Sequence, residues 1–370
     1  MSASERRSML GEERRAILIT TLEREGVVRI SDMAERMGVT QVTLRRDIGA
    51  LSDEGVVRRV HGGAVLAERR TDDVTEQVPS TNAAFSSDIT LGMLVPSLDY
   101  YWPSVIRGAE KAAEARHMRL VLRGSSYEAD DMRAQIDRLL DGNAVSGLVL
   151  APNMAAEHTT ETLEWLAGTD TPVVLVERRA RNGALASALE SVTTDHAEGA
   201  RIALRHLVEL GHRRMGMVTS TASPTSQHLR RGWHNALAEL SLGSSRDIDV
   251  DVPEPSEPGW AEVADAVLSA CRETGTTALL VHADAAAAAL VQRCVHHGMS
   301  VPRDLSVIAY DDEFADIFTP RLTAVRPPRQ SIGHGAIDLL AARIADRNRP
   351  LHRVVITPSL RVRETTVPPR

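Results

Sequence analysis

The sequence predicts an α/β protein in two parts: a small helical head ending in a β-wing, and a larger body of doubly wound parallel sheets in two lobes. Three observations carry that reading. Residues 1–66 string short helix-like segments between glycine stops and end in a basic β-like pair around Gly62 and Gly63. Residues 67–88, AERRTDDVTEQVPSTNAAFSSD, are polar, contain a proline and keep no lasting period, as a tether would. From residue 89 onward, apolar strand-like runs alternate with helix-like stretches, the pattern of a parallel sheet covered on both faces.

A chain of 370 residues can hold two or three domains, each with its own core. No apolar run approaches the roughly 20 residues that span a bilayer. The N-terminus, MSASERRSMLGEERRAIL, lacks the apolar stretch of a secretory signal. A cytoplasmic protein with no membrane partner is expected. Cys271 and Cys294 match no metal or redox spacing and read as ordinary intracellular thiols. Residues 1–70 carry 13 Arg against 11 acidic residues, so the head is slightly basic while the whole chain is at −7. A basic head on an acidic body permits nucleic-acid binding by the head.

Within the head, EERRAILITTLEREG reads as a helix stopped at Gly26, and VVRI as a short β-like run. Ser31 can cap a short helix that ends near Gly38, and Thr40 can cap QVTLRRDIGALSDEG. In that second helix Leu44, Ile48 and Leu51 stand at i, i+4 and i+7 and form one buried stripe. Gln41, Thr43, Arg45 and Arg46 fall off the stripe near the helix start. VVRRVHGGAVL then folds as a hairpin wing with Arg58 and Arg59 on it. Helix, turn, polar-fronted helix and basic wing make a winged helix-turn-helix, whose recognition helix presents its first residues to base edges. Gln and Arg there can read adenine and guanine, while the wing arginines hold phosphates.

The stretch VTLRRDIGALSDEGVVRRVHGGAV, residues 42–65, resembles the DNA-binding domain of DeoR-type bacterial regulators, with Thr43, Arg45, Arg46, Asp47, Arg59, His61, Gly62 and Gly63 in register. The resemblance implies DNA contacts at Gln41, Thr43, Arg45, Arg46, Arg58, Arg59 and His61. Gln41 departs from the small residue often found at its position. The HGGA sequence also occurs before oxyanion holes of esterases, but no G-x-S-x-G nucleophile elbow accompanies it here.

In the body, ITLGMLVP, MRLVLRGSS, VSGLVLAP, PVVLVER, RMGMVTS, TALLVHAD and LSVIAYDD read as buried strands. About ten such strands in one run predict two lobes. Ligands bind beyond the carboxyl ends of strands in such sheets, so the groups that follow them are the candidate site: Tyr100, Tyr101 and Trp102; Ser125 and Ser126; Glu177 and Arg178; Ser220; Asp284; Asp311 and Asp312. No G-x-G-x-x-G follows a strand, which argues against a dinucleotide cofactor. Carboxylates and hydroxyls fronted by rings suit a polyhydroxylated ligand. Eleven aromatics occur in the chain and three stand together at 100–102. Tyr101 and Trp102 are expected to face the ligand, and Tyr100 to lie against the core. Asp195 is read as a helix N-cap, and Asp284 as either a cap or a ligand contact.

The body resembles the periplasmic-binding-protein-like sensor domain of the lactose-repressor (LacI) family, through VPSLDYYWPSVIRGAE, GLVLAP, PVVLVER, VTTDHAEGARIALRHLVELGHRRMGMV, SVPRDLSVIAYDDEFADIFTPRLTAVRPP and IGHGAIDLL. That implies a hinged sugar sensor over residues 89–370, with lobe 1 at about 89–191 and 324–350 and lobe 2 at about 192–323 and 351–370. It also implies ligand contacts at Tyr101, Trp102, Glu177 and Asp311. Two positions depart: the family's arginine falls on Leu229, leaving Arg230 as a neighbouring substitute, and its Asn-Asp pair is Ala283–Asp284. With Ser125, these make the candidate ligand set Tyr101, Trp102, Ser125, Glu177, Arg230, Asp284 and Asp311. The expectation is a homodimeric repressor of carbohydrate-related genes that binds double-stranded operator DNA under control of a small effector, with no catalytic residue, metal or cofactor. The rival readings are an exported solute receptor and an α/β enzyme.

Overall fold

The computed structural model describes residues 11–25, 27–29, 33, 36, 37, 39, 43, 44, 47, 48, 51, 57–60 and 63–66 of the head, and 89–98, 100–124, 132–154, 156, 158–180, 188–243 and 248–370 of the remainder. The expected tether at 67–88 lies outside the described residues. The chain divides into two compact units, Met1–Asn82 and Ala83–Arg370.

In the first unit, α1 (Gly11–Glu25) is followed by β1 (Val27–Arg29), β2 (Val57–Val60) and β3 (Gly63–Leu66). Leu18 and Leu22 of α1 share one core with Met33, Met37, Leu44, Ile48, Leu51 and Val57. The stripe of Leu44, Ile48 and Leu51 is thus buried as its spacing requires. β2 and β3 form the wing hairpin, with Val60 opposite Gly63, and β1 adds to it against β3. Asp47 accepts two hydrogen bonds from the Arg14 guanidinium, at 2.8 and 3.2 Å, which ties α1 to the segment that carries the arginine pair.

The second unit holds two six-stranded sheets. The first lobe runs β4 (Thr90–Val95), α2 (Trp102–Ala115), β5 (Arg119–Gly124), α3 (Met132–Asn143), β6 (Gly147–Leu150), α4 (Thr159–Ala167), β7 (Val173–Val176) and β8 (Glu190–Thr194). The second runs α5 (His196–Glu209), β9 (Met215–Ser220), α6 (Ser226–Glu239), β10 (Asp249–Val252), α7 (Trp260–Thr274), β11 (Ala278–His282), α8 (Asp284–His296), β12 (Ser306–Tyr310) and β13 (Thr323–Arg326). The chain then returns to the first lobe for α9 (Arg329–Ala345) and β14 (Arg353–Ile356), and ends in the second with β15 (Ser359–Arg361). Strand orders are β14-β8-β7-β6-β4-β5 and β10-β9-β11-β12-β13-β15. All pairings in these two sheets are parallel except β13 with β15.

Three crossings join the lobes: after β8, between β13 and α9, and between β14 and β15. The expected lobe limits need correction at two strands. β13 lies in the second sheet and β14 in the first, because β13 pairs with β12 and β14 with β8. Both faces of each sheet are covered by helices. Residues of α2 and α9 pack on one face of the first and residues of α3 and α4 on the other; α5 and α6 against α7 and α8 do the same for the second. Two-sided burial explains why these strands read as continuous apolar runs. At the crossing, α9 meets α2 at backbone distance: a Cβ on Gly333 would fall 1.9 Å from the Val105 carbonyl oxygen. Cys271 and Cys294 are buried free thiols, pushed up to about 12 by burial, which leaves both without thiolate reactivity.

Candidate functional site

In the head unit, the expected DNA contacts are partly placed. Thr43 is helical and half-buried. Arg58 and Arg59 stand on β2, opposite Val65 and Ala64 of β3. Gln41, Arg45, Arg46 and His61 lie outside the described residues.

In the body unit, the carboxyl ends of the strands gather a connected set of polar groups. The aromatic tripeptide comes first, and its three rings divide differently from the expectation. Trp102 is 2 % exposed and packs with Leu91, Val105 and Ile332 in the first lobe's core. The reason is helical geometry: Trp102 is the first residue of α2 and shares its buried face with Val105, Ile106 and Ala109. Tyr100, expected on the core, instead sends its hydroxyl to Asp311 Oδ2 at 3.1 Å and sets its ring 5.6 Å from that of Phe314. Tyr101 donates its hydroxyl to Glu177 Oε1.

Glu177 follows β7 and is enclosed by donors. Besides Tyr101, the Thr194 N–H reaches Oε2 at 2.9 Å, the Thr194 hydroxyl reaches Oε1 at 2.7 Å, and His196 Nε2 lies 3.5 Å from Oε2. Burial alone would raise this carboxyl, but the hydrogen bond and charge of His196, the Thr194 N–H and the Tyr101 hydroxyl prevail and hold it at about 2. His196 in turn shares a 2.9 Å hydrogen bond through Nδ1 with Tyr310. Gly199 permits that approach, since a Cβ there would lie 2.6 Å from the Tyr310 hydroxyl.

Asp311 follows β12, with His282 Nε2 3.7 Å from its Oδ2. His282 ends β11, is 4 % exposed, and has no hydrogen-bond partner at Nδ1. Burial depresses its basicity against the opposing pull of Asp311. Asp284 does not offer its carboxylate to the cleft. It is 0 % exposed and accepts from the backbone N–H groups of Asp312, Glu313 and Phe314 at 3.1, 2.6 and 2.8 Å. Asp284 holds the turn that presents Asp311. Burial, then the Asp311 charge, raise it to about 7 against those three N–H bonds. Its position at the start of α8 agrees with the cap alternative in placement, but its partners are on a different segment. Asp195 is an N-cap, accepting from the Glu198 N–H at 3.0 Å.

Arg230 has protein partners on two strands. It binds Asp249 and Asp251 at 2.8 and 2.9 Å and the Thr219 hydroxyl at 3.0 Å, clasping α6 to the edge strand β10. Leu229 at the neighbouring position is core, with no exposed surface. Ser125 lies outside the described residues. Sequence reading missed Thr194, His196, His282, Tyr310 and Arg329. Arg329 donates to the Asp311 and Asp312 carbonyls and pairs with Glu313 at 2.7 Å, its guanidinium 5.4 Å from the Tyr101 ring. For His196 and His282 a signal existed, since both stand at a β-strand end in the same positions that flagged the carboxylates. Backbone strain marks the same place: Tyr100, Glu177, Asp311 and Asp312 all have positive φ, at 55°, 53°, 106° and 53°. Each costs on the order of 1 kcal/mol and is held by its surroundings.

The fold and this site define a class: a small head of helix and β-wing in one unit, and a two-lobed α/β domain in the other. Comparison with known proteins gives the family on both sides. Residues 14–70 match the DeoR-like helix-turn-helix domain, and residues 204–366 match the periplasmic binding protein-like domain. The chain is 25% identical over 341 residues to the arabinose metabolism transcriptional repressor of Geobacillus stearothermophilus, covering 90% of each. It is 27% identical over 352 residues to the transcriptional repressor PurR of Vibrio campbellii, covering 91% of this chain and 98% of that one. A solved LacI family transcriptional regulator from Mycobacterium smegmatis superposes with a TM-score of 0.59 at 27% identity, over 76% of this chain and 100% of that one. A LacI family regulator from Enterococcus faecium with bound ribose shares the fold, with a TM-score of 0.60 at 21% identity, over 75% and 99%. The chain is a DeoR-like helix-turn-helix domain joined to a LacI-type, periplasmic-binding-protein-like domain.

Proposed function

We propose that this protein is a ligand-responsive transcriptional repressor of carbohydrate-related genes, acting as a homodimer on operator DNA. The observation that carries the reading is the pairing of a DeoR-like head with a two-lobed domain whose strand ends converge on one polar cleft. Thr43, Arg45 and Arg46, with Gln41, read base edges in the major groove; Arg58, Arg59 and His61 bind the backbone. A small hydroxylated effector binds between the lobes and shifts operator affinity through its different affinity for two lobe arrangements, a coupling of about 1–3 kcal/mol. Two-fold pairing of heads requires a repeated or palindromic operator. The relatives reported above are regulators, in line with a non-enzymatic role.

A gel shift of the full-length protein on DNA upstream of its own gene tests this. A sequence-specific shift is expected, lost in the Arg45→Ala, Arg46→Ala double variant while the body's unfolding transition stays in place. No specific shift with or without sugars would refute the proposal.

A further inference from the structure

The cleft is closed on itself by its own side chains. Tyr100 comes from the first lobe and Asp311 from the second, and the phenol hydroxyl supplies the Asp311 carboxylate with a donor across the cleft. Tyr100 holds this pose with a left-handed backbone, φ 55°, where a tyrosine is strained. Beside that contact His282 has a buried ring nitrogen, Nδ1, without a hydrogen-bond partner among the described residues. Leaving such an atom unmatched is unfavourable. His282 lies among Asp311 and Glu254, which follow strands of the second lobe, and His196, which follows β8 of the first.

Several described cations at the strand ends have protein partners, while Arg123 near the end of β5 has a buried Nε without one among the described residues. Arg178 donates to the Pro152 and Glu177 carbonyls, and Arg329 to the Asp311 and Asp312 carbonyls and to Glu313. Arg326 and Arg363 share the Asp312 carboxylate. His196 is matched by Glu177. Among the described residues, the side chains placed against the Asp311 carboxylate are a hydroxyl and an imidazole. Such a wall accepts hydrogen bonds from a ligand and repels a negative charge.

We infer that Tyr100 is a tethered stand-in for a ligand hydroxyl: an uncharged, hydroxyl-rich effector displaces it from Asp311 and takes a second hydrogen bond at His282 Nδ1. His282 is then a specificity-determining contact, and sugar phosphates and sugar acids are excluded. This rests on reading the body as an effector sensor.

The test uses the full-length protein and its Tyr100→Phe, His282→Leu and His282→Asn variants, titrated calorimetrically with D-ribose, cellobiose, ribose 5-phosphate and D-glucuronate. At least one neutral sugar is expected to bind and neither anionic analogue to compete with it. His282→Leu is expected to weaken binding about tenfold, the loss of one hydrogen bond. His282→Asn, which keeps a hydrogen-bonding group, recovers part of that loss, and Tyr100→Phe, which removes the internal competitor, tightens binding about threefold. The inference is overturned if an anionic sugar binds more tightly than its neutral counterpart, if no neutral sugar binds, or if His282→Leu and Tyr100→Phe both bind as the wild type does. Gel shifts on the same preparations separate the two ideas. Binding that follows His282 in a protein with no specific DNA shift would sink the repressor reading and leave this one standing.

Discussion

Glu177 in the first lobe and Asp284 in the second are both buried carboxyls that accept several hydrogen bonds, yet they are driven in opposite directions. Glu177 is held at about 2 and Asp284 is raised to about 7. Burial raises both. What separates them is the nearest charge: Glu177 faces His196 at 3.5 Å, whereas Asp284 is coupled to the carboxylate of Asp311. The two lobes therefore contribute unlike walls. The first is an ionised carboxylate saturated by Tyr101, Thr194 and His196. The second is a carboxyl that stands behind the turn while His282 keeps an unmatched Nδ1 in front among the described residues. Equal burial does not predict equal ionisation; the partner does.

Breaking the first wall should have the largest effect. Glu177→Ala strands the Tyr101 hydroxyl, two donors of Thr194 and His196 in the interior, and is expected to cost the body about 3 kcal/mol or more in urea unfolding. Glu177→Gln, which keeps the shape, should lose about half as much. If the alanine variant unfolds with the wild-type midpoint, the wall is not saturated as described.

On the second wall, Asp284→Ala frees three backbone N–H groups and should cost about 2 kcal/mol at pH 4. The sign of the pH dependence sharpens the contrast. Because the folded carboxyl titrates near 7 and the ordinary value is 3.8, the wild type gives up stability at this site as pH rises through that interval. The loss caused by Asp284→Ala should therefore be smaller at pH 8 than at pH 4. Glu177 behaves in reverse: its contribution is complete above 4.5 and is lost as pH falls from 4.5 toward about 2. Acid unfolding of the Glu177→Gln variant should accordingly show a shallower decline over that interval. A loss at Asp284 that grows with pH would contradict the assignment.

Smaller effects test the rings and the clasp. Tyr101→Phe should cost about 1 kcal/mol in unfolding, one charge-assisted hydrogen bond. Arg230→Ala should cost about 0.5 kcal/mol, since its side chain is 29% exposed, and should leave sugar titrations unchanged. A sugar affinity that followed Arg230 would restore it to the ligand set.

How legible the site was depended on the kind of signal each residue carried. Asp311, Glu177 and Tyr101 were readable because a polar or aromatic group after an apolar parallel strand has one place to go. Trp102 is less legible, because its place after an apolar strand does not reveal that it already opens α2, whose 3.6-residue period turns the ring to the core. Asp284 and Arg230 are polar residues at suitable strand ends and helix faces, but their partners lie 28 to 30 and 11 to 21 positions away, on other segments. Strands β8 and β10, ESVTT and DVDV, escaped notice because hydroxyl and acidic residues interrupt the apolar run.

By itself the sequence determined the division into a basic winged head and an α/β body, the buried stripe of Leu44, Ile48 and Leu51, and the sheet end at which a ligand would be sought. Those are properties of periodicity and local backbone preference, which neighbouring residues impose on one another. Only the tertiary structure decided which lobe β13 and β14 join, which tyrosine reaches across the cleft, and which buried carboxyl keeps its charge. Each of these turns on distances between residues far apart in the chain, and an electrostatic or hydrogen-bonding partner acts through space, not along the sequence.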